Sequence, residues 1–510
     1  MIVIIHNNKN VIQVKKNTKN IEKFSTSFGT TLFQKSEEFP DETIVWVLEE
    51  FVSLVNFNEI EKLLGNNETI IHFNPFENQY LSDDLGFVDQ NSLFKMPKKV
   101  NHASWQISAS IGATKATILN KLNSEIKNKN ANPNYLLHSI GFTFSLIGLF
   151  CNSQPLLAQN SVSKKQNQST FKLYQFVKQH YKFQWLFFLF FTRLIKRKSF
   201  DIFPLFSSLF FFKVKKTNTI TFNVFENKED HFNNSLSLDV IIPTIGREKY
   251  VYDVLLDLKK QSFLPKKVII VEQNPQPNST SGLDFIFNSD WPFEIDHTFT
   301  HQPGACNARN IALSKVTSDW VFMNDDDNSF EFDLLENTFK AIQFYDLKAL
   351  ITAYPQLGEN VFYDKIHQTT IYGSGNSFIK SELLSQVKFD KNYEFCYGED
   401  FDFGMQLRNI GIDIICVPFL RILHLKAPMG GFRTKPVLPW HNEEIQPKPS
   451  PTIMLNMLKY KTKEQVLSWK IVYFFKTLKA SPFYRWRKII TQAQKHWHKS
   501  EMWANKLENM

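Results

Sequence analysis

DVIIPTIGREKYVYDVLLDLKKQSFLPKKVIIVEQN, residues 239–274, decides the fold. Val240-Ile-Ile242 is a short apolar run of the kind a strand buried on both faces requires, and Pro243 predicts its end. Between Glu248 and Gln261, Val251, Val254, Leu255 and Leu258 fall at i, i+3, i+4 and i+7, one face of a helix. Val268-Ile-Ile-Val271 predicts the next strand. Strand, helix, strand at this spacing is a βαβ unit, and it predicts an α/β fold with a parallel sheet. Such sheets bind ligands at the carboxyl ends of their strands. Pro243 and Thr244 after one strand and Glu272 after the other are therefore the first candidate binding residues.

Downstream, Trp320–Met323 predicts a third strand, and Asn324-Asp325-Asp326-Asp327-Asn328 follows directly. Three adjacent carboxylates repel one another, and a divalent cation with oxygen ligands relieves that repulsion. A hydrated acidic turn is the plainer alternative. A second acidic group, Gly398-Glu399-Asp400-Phe401-Asp402, opens a predicted helix with Phe403, Leu407 and Ile410 on one face and Gly411 as its stop. Acids there either favour the positive end of the helix dipole or hold a catalytic carboxylate at a pocket rim. His424, after the apolar run Ile412–Leu423, reads as a metal ligand or a structural histidine. Gly373-Ser-Gly375-Asn-Ser377 has part of a dinucleotide-loop pattern without its third Gly and reads as a close backbone approach or turn, and Asp83-Asp84 reads as a solvated turn.

The whole chain has 510 residues, 43% of them apolar and 21% charged, which excludes a disordered protein. Four Cys without a CxxC pair argue against a disulfide scaffold or zinc finger and point to a reducing compartment. The opening Met1-Ile-Val-Ile-Ile5 is too short for a signal peptide and predicts a first strand, and no apolar run is long enough for a membrane span. Composition shifts divide the chain into an N-terminal α/β domain (1–159), a basic aromatic connector (160–235), a catalytic α/β domain (236–435) and a basic aromatic helical tail (436–510). Thr43–Leu48 and Thr69–Phe73 predict strands of the first domain.

The net charge of +9 is unevenly placed. Residues 160–222 carry 12 Lys and Arg against one Asp, and residues 445–510 carry 13 against three Glu. Both stretches are rich in Phe, Tyr and Trp. Basic residues among aromatics suit an anionic membrane surface, and equally suit packing under snorkelling lysines. Nucleic acid is the less favoured third partner.

Five segments stand in a familiar order. Asp239-Val-Ile-Ile-Pro-Thr-Ile-Gly-Arg247 resembles the opening of the family two inverting glycosyltransferases. Val268–Asn274 looks like that family's second strand, with Glu272 where an acid contacts the nucleoside. Gly304-Ala-Cys-Asn-Ala-Arg-Asn310 is similar to its G-x-x-x-A-R-N segment. Asn324–Asp327 matches its DXD region, aligned either with Asn324 in the first acid's place or as Asp325-Asp326-Asp327. Gly398–Asp402 matches its E-D motif. The resemblance covers residues 236–430.

It implies a GT-A-type, Rossmann-like mixed sheet and a nucleotide-diphosphate sugar donor. Pro243, Thr244, Arg247, Glu272, Arg309 and Asp325 would contact that donor. Asp325, Asp326, Asp327 and His424 would hold Mn²⁺ or Mg²⁺ on its diphosphate. Asp400, beside Glu399, would be the general base for the acceptor hydroxyl, and Pro428–Arg433 would close over the donor. The Q-x-x-R-W motif of processive synthases is absent, which implies transfer of one sugar to a glycan or lipid-linked acceptor in surface polysaccharide assembly. The expected location is cytoplasmic, peripheral at the inner face of the membrane. The N-terminal domain, without this motif set, is expected to be a degenerate glycosyltransferase-like relative or an acceptor module. The competing expectations for the whole are an inactive sugar-nucleotide-binding scaffold and a sugar nucleotidyltransferase. The latter's Gly-rich phosphate loop is not present at Pro243–Arg247.

Overall fold

The computed structural model describes the chain except residues 17–18, 24–25, 160–163, 216–218, 226–234, 362, 428–435, 480–481 and 510. It forms two compact units: Met1–Val224 with Lys461–Ile471, and Phe225–Tyr460 with Val472–Met510.

The first unit is built on strands β1 (Ile2–His6), β2 (Val11–Lys16), β3 (Lys19–Lys23), β4 (Thr43–Leu48), β5 (Thr69–Phe73), β6 (His102–Ala103), β7 (Ile111–Lys115) and β8 (Phe150–Ser153). They form one mixed sheet in the order β3-β2-β1-β4-β7-β5-β8-β6. Successive side chains of a strand point to opposite faces. Accordingly, Ile2 and Ile4 join a core with Trp46, Leu119 and Leu137, while Val3 and Ile5 join a second core with Val45, Val47 and Ile71. Both faces are covered, which is why β1 and β4 read as unbroken apolar runs. The Trp46 ring lies on Gly112 of β7, where a Cβ would meet it at 2.3 Å.

Helices Thr170–His180, Gln184–Arg197 and Ile202–Leu209 pack on this unit through Leu173, Phe176, Leu186, Leu189 and Leu205. They correct half of the reading of Asp83-Asp84 as a solvated turn: Asp83 is exposed, Asp84 is not. Asp84 is buried, paired with Arg193 and, at 3.0 Å, with Arg197 of the second of these helices. Sequence spacing alone does not show that two arginines more than a hundred residues later will neutralise it.

The second unit holds β9 (Leu238–Ile245), β10 (Lys267–Gln273), β11 (Glu294–Thr300), β12 (Trp320–Asn324), β13 (Asn328–Ser329), β14 (Ala349–Ala353), β15 (His367–Gln368), β16 (Asn376–Lys380), β17 (Ile415–Arg421) and β18 (Leu423–His424). Eight of them form a mixed sheet ordered β11-β10-β9-β12-β16-β14-β17-β15, and β13 pairs with β18. The predicted helix after β9 spans Glu248–Lys259 and buries Val251, Val254, Leu255 and Leu258. Asp239, fully buried, accepts the Thr317 and Ser318 amides at 2.7 and 3.1 Å and so ties the start of β9 to the loop before β12.

Pro243 does not end β9, which runs on to Ile245. The pairing with β12 stops at Ile241–Met323, while β10 continues opposite Pro243. A proline, lacking its N–H, is tolerated where one side of the strand has no partner.

The two sheets share a strand order. Setting β1, β4, β5, β6, β7 and β8 against β9, β12, β14, β15, β16 and β17 matches sequence order, neighbours and parallel or antiparallel sense throughout. The remaining two positions differ. In the first unit, β2 and β3 are antiparallel additions; in the second, β10 and β11 are parallel.

Candidate functional site

The carboxyl ends of β9 and β12 lie side by side, so Thr244 and the acidic run after Asn324 meet. The Thr244 hydroxyl donates to Asp326 at 2.7 Å, and Arg247 donates to Asp326 at 2.5 Å and to Asp327 at 3.2 Å. Asp326 is buried, and desolvation pushes its carboxyl up to about 6 despite the Arg247 charge. Burial also raises Asp327, but hydrogen bonds from His424 and the Ala427 amide, with the Arg247 charge, outweigh it and hold the group below its ordinary range. Asn324 is fully buried and accepts from Asn328 at 2.6 Å. Of the run Asn324–Asp327, only Asp325 presents a substantially exposed side chain, 27% against 5% for its two neighbours.

His424 is carried here by the pairing of β18 with β13, which sets it opposite Asn328. Its Nε2 lies 3.5 Å from Asp327, and its ring stacks on Tyr354 with centroids 4.7 Å apart. The bond to Asp327 raises its pKa above the usual imidazole value. Tyr354 donates to Asn328 at 2.6 Å and reaches Asp325 at 3.5 Å.

The second acidic group opens the helix Glu399–Asn409. Its three acids have different surroundings. Asp402 is buried and accepts from Tyr460 at 2.7 Å, Gln406 at 2.6 Å and Lys459 at 3.2 Å, so it anchors the helix. Asp400 keeps one carboxylate oxygen, Oδ1, buried without a hydrogen-bond partner. Burial raises its pKa, countered in part by the Arg309 charge and by Ser374. Burial and the neighbouring Asp400 charge push Glu399 up to about 7. Gly398 takes φ 118°, and a Cβ there would meet the Asn456 amide at 2.4 Å.

Arg309 joins the two acidic groups. It sits on the helix Ala305–Leu313, whose first amides, Cys306 and Asn307, donate to Glu394 at 3.0 and 2.9 Å. Its guanidinium is buried, bonds Asp325 at 2.9 Å, and is raised by the charges of Asp325, Asp400 and Glu399 together. The turn before β16 links the same pair: Ser374 stands by Asp400, and a Cβ on Gly375 would lie 2.1 Å from Asp325 Oδ2. Thr244, Arg247, Arg309, Asp325, Asp326, Asp327, His424, Glu399 and Asp400 are thus gathered at one edge of the sheet.

Pro243 and Glu272 belong to the neighbouring strand ends. Glu272 is buried and accepts from Ser281 at 2.5 Å, the Gly282 amide at 2.9 Å and His297 at 2.9 Å, which hold its carboxyl low against the desolvation that raises it. Pro428–Arg433 lies outside the described residues. Tyr354 and Glu394 were not singled out by sequence, and Asn328 and Ser374 stood in quoted stretches without a role of their own. Tyr354 follows the carboxyl end of β14, and the strand-end rule applied there would have found it.

Among the described residues, no group of three or more His, Cys, Asp or Glu is arranged as a metal cage. The edge offers a partial donor set, the Asp325 and Asp327 carboxylates with the His424 imidazole. Mg²⁺ and Mn²⁺ are commonly held by one or two carboxylates and complete their shell with water and substrate phosphate. Asp325, the one carboxylate of the run with a partly exposed side chain, is the donor such an ion would meet first.

The chain is similar to the glycosyltransferase GlyG of Streptococcus pneumoniae, 22% identical over 151 residues, a match covering 29% of this chain and 48% of that protein; the chain thus spans about half of that relative's length. Among solved structures it resembles S. aureus TarS 1–349 in complex with UDP-GlcNAc, with 19% identity, a TM-score of 0.35 and coverage of 48% of this chain and 72% of that one. It also resembles GalNAc-T7 with UDP, GalNAc and Mn²⁺, with 12% identity, a TM-score of 0.37 and coverage of 52% and 55%. The profile of the Glycosyl transferase family 2 matches residues 239–399, and this stretch of the chain is a glycosyltransferase family 2 domain.

Proposed function

We propose that the second unit transfers one sugar, with inversion, from a nucleotide-diphosphate sugar to a hydroxyl of a glycan or lipid-linked acceptor in surface polysaccharide assembly. The observation that carries this reading is Arg309, bonded to the exposed Asp325 and sharing its charge with Asp400. A cation beside a diphosphate site and a proton acceptor within the same field are what such a displacement needs.

In this reading Pro243, Thr244, Arg247 and Glu272 line the donor's nucleoside side at the ends of β9 and β10. Thr244 and Arg247 hold Asp326 and Asp327 in place, leaving Asp325 facing the diphosphate. Asp325, Asp327 and His424 would hold Mn²⁺ or Mg²⁺, which when bound offsets charge on the leaving diphosphate. Arg309 adds a fixed positive group there. Asp400 Oδ1 accepts the acceptor hydroxyl's proton. Its raised pKa improves the match to a proton acquired near neutral pH, help typically worth about 10²–10⁴ in rate. The first unit is read as a degenerate relative of the same fold, supported by the matching order of six strands. The protein is read as cytoplasmic and peripheral at the membrane's inner face. Among the described residues, no helix is long and apolar enough to cross a membrane.

The test is Asp400→Asn with donor affinity by calorimetry and turnover measured separately. The expected result is affinity kept and turnover reduced by about 10²–10⁴. Unchanged turnover removes Asp400 from the role, and binding without turnover in the native chain favours the scaffold.

A further inference from the structure

The helix Gln184–Arg197 is apolar on two sides. Leu186, Leu189 and Phe190 turn inward to the first unit's core. Phe183, Phe187, Phe191 and Ile195, each four residues from the last, form a second stripe that is exposed. The chain then carries Phe200, Phe203, Phe206, Phe210 and Phe212 outward, with Phe203 77%, Phe210 85% and Phe212 89% exposed. A helix with both faces apolar is one that is covered on both faces. Single exposed hydrophobics are ordinary, but a contiguous run of large ones marks a surface with a partner.

Along the chain the exposed charge of this run has one sign, while Arg197 is taken up by Asp84 and Glu464. Lys182, Lys196, Lys198, Lys213 and Lys215 are exposed. The one acid between residues 164 and 215, Asp201, is buried against Arg193 and the Tyr174 hydroxyl. A partner for this face needs apolar depth and negative charge at its rim. The helix, 14 residues long, spans about 21 Å against the roughly 30 Å of a hydrocarbon core, so it fits in the plane of an interface.

We infer that residues 183–212 are a monotopic docking face for an anionic lipid bilayer, with the phenylalanines in the acyl boundary and the lysines on lipid headgroups. The inference rests on the peripheral reading above and gives it a location, but needs no sugar transfer.

The test is flotation of the full chain with vesicles of phosphatidylcholine containing phosphatidylglycerol, and with phosphatidylcholine alone. The native chain is expected to float with the anionic vesicles and much less with the neutral ones. Phe187→Ser, Phe191→Ser, Phe203→Ser and Phe210→Ser together are expected to lower partitioning by more than about 100-fold, since each removes an exposed side chain from the apolar phase. Should that variant not fold, Lys196→Gln, Lys198→Gln and Lys213→Gln together are expected to lower anionic partitioning by roughly 100-fold, at about 1 kcal/mol per lysine. If the native chain floats and the variants float equally, this face is overturned while the peripheral reading stands. If the native chain does not float, both fall. Dimers in vesicle-free buffer that the phenylalanine variant abolishes would assign the face to a second copy and overturn the lipid.

Discussion

After β12 the chain turns through Asp325, Asp326 and Asp327; after β4, which holds the same place in the first sheet, it turns through Glu49 and Glu50. In the first sheet Glu50 pairs with Lys164, both exposed, at a cavity of about 250 Å³ also lined by Asn7, Leu48 and Asn134. The helix before β17 begins Glu399-Asp400, and its counterpart before β8 begins Pro133-Asn134. Asn134 stands at the second position, as Asp400 does, but it is a neutral amide that accepts from the Ala109 amide at 2.9 Å and donates to Asn8 at 3.3 Å. The same strand order thus carries two carboxylates around a buried arginine in one unit, and an exposed Glu50–Lys164 pair beside a bonded neutral amide in the other. Architecture sets where a site can be; side chains decide whether there is one.

The sharpest way to break this comparison is to treat the two acidic runs alike. Asp325→Asn should cost about 10²–10³ in turnover, the usual consequence of removing one electrostatic stabiliser of a transition state, and should abolish rescue by Mn²⁺ after EDTA. Glu50→Gln should leave turnover unchanged; an equal loss in both would mean that the first edge also works. In the native chain, EDTA should remove activity and Mn²⁺ restore it, and full activity in chelator would end the metal assignment.

A smaller effect concerns pH. Both members of the Glu399–Asp400 pair are raised, so the ionised base is lost as pH falls through their titration, and kcat/KM should decline on the acid side. Glu399→Gln removes the like charge and should move that limb to lower pH; an unmoved limb would assign it elsewhere.

The smallest effect is on stability. A carboxyl whose folded pKa is raised destabilises the fold above that pKa and ceases to do so once protonated. Asp400→Asn should therefore raise the melting temperature at pH 8 by a few degrees, and less at pH 5. Asn134→Asp, which puts a charge into the first unit's bonded amide, should lower it. The same sign for both would show that the two helix starts are not alike in position.

Much of the second unit was legible because its signals are local. The apolar runs at Val240 and Val268 and the 3.6-residue period over Glu248–Lys259 give strands and helix directly. Asp325, Asp400 and Arg309 were legible as types in a motif. What sequence did not carry was the division of labour among adjacent acids. Asp326 is occupied by Thr244 and Arg247 and Asp402 by Tyr460, all distant in the chain, while Asp325 bonds Arg309 and Asp400 keeps Oδ1 without a hydrogen-bond partner. Tyr354 and Ser374 lay in segments without charge or periodicity. The likeness of the two sheets lies in strand pairing, not in motifs. The first unit keeps the strand order but replaces β10 and β11 with β2 and β3, paired antiparallel, so no βαβ spacing announces it.

Asp402 has a practical consequence. The helix that bears Asp400 is fastened by Lys459 and Tyr460, and Asn456 donates to the Gly398 carbonyl at 3.0 Å. A shortened protein cut where the recognisable motifs stop would strip those fasteners and leave the buried Asp402 anion with Gln406 and Tyr393 but no cation. Anyone trimming this unit for crystallisation should keep the segment through Tyr460, although nothing in its own letters advertises a part in the chemistry.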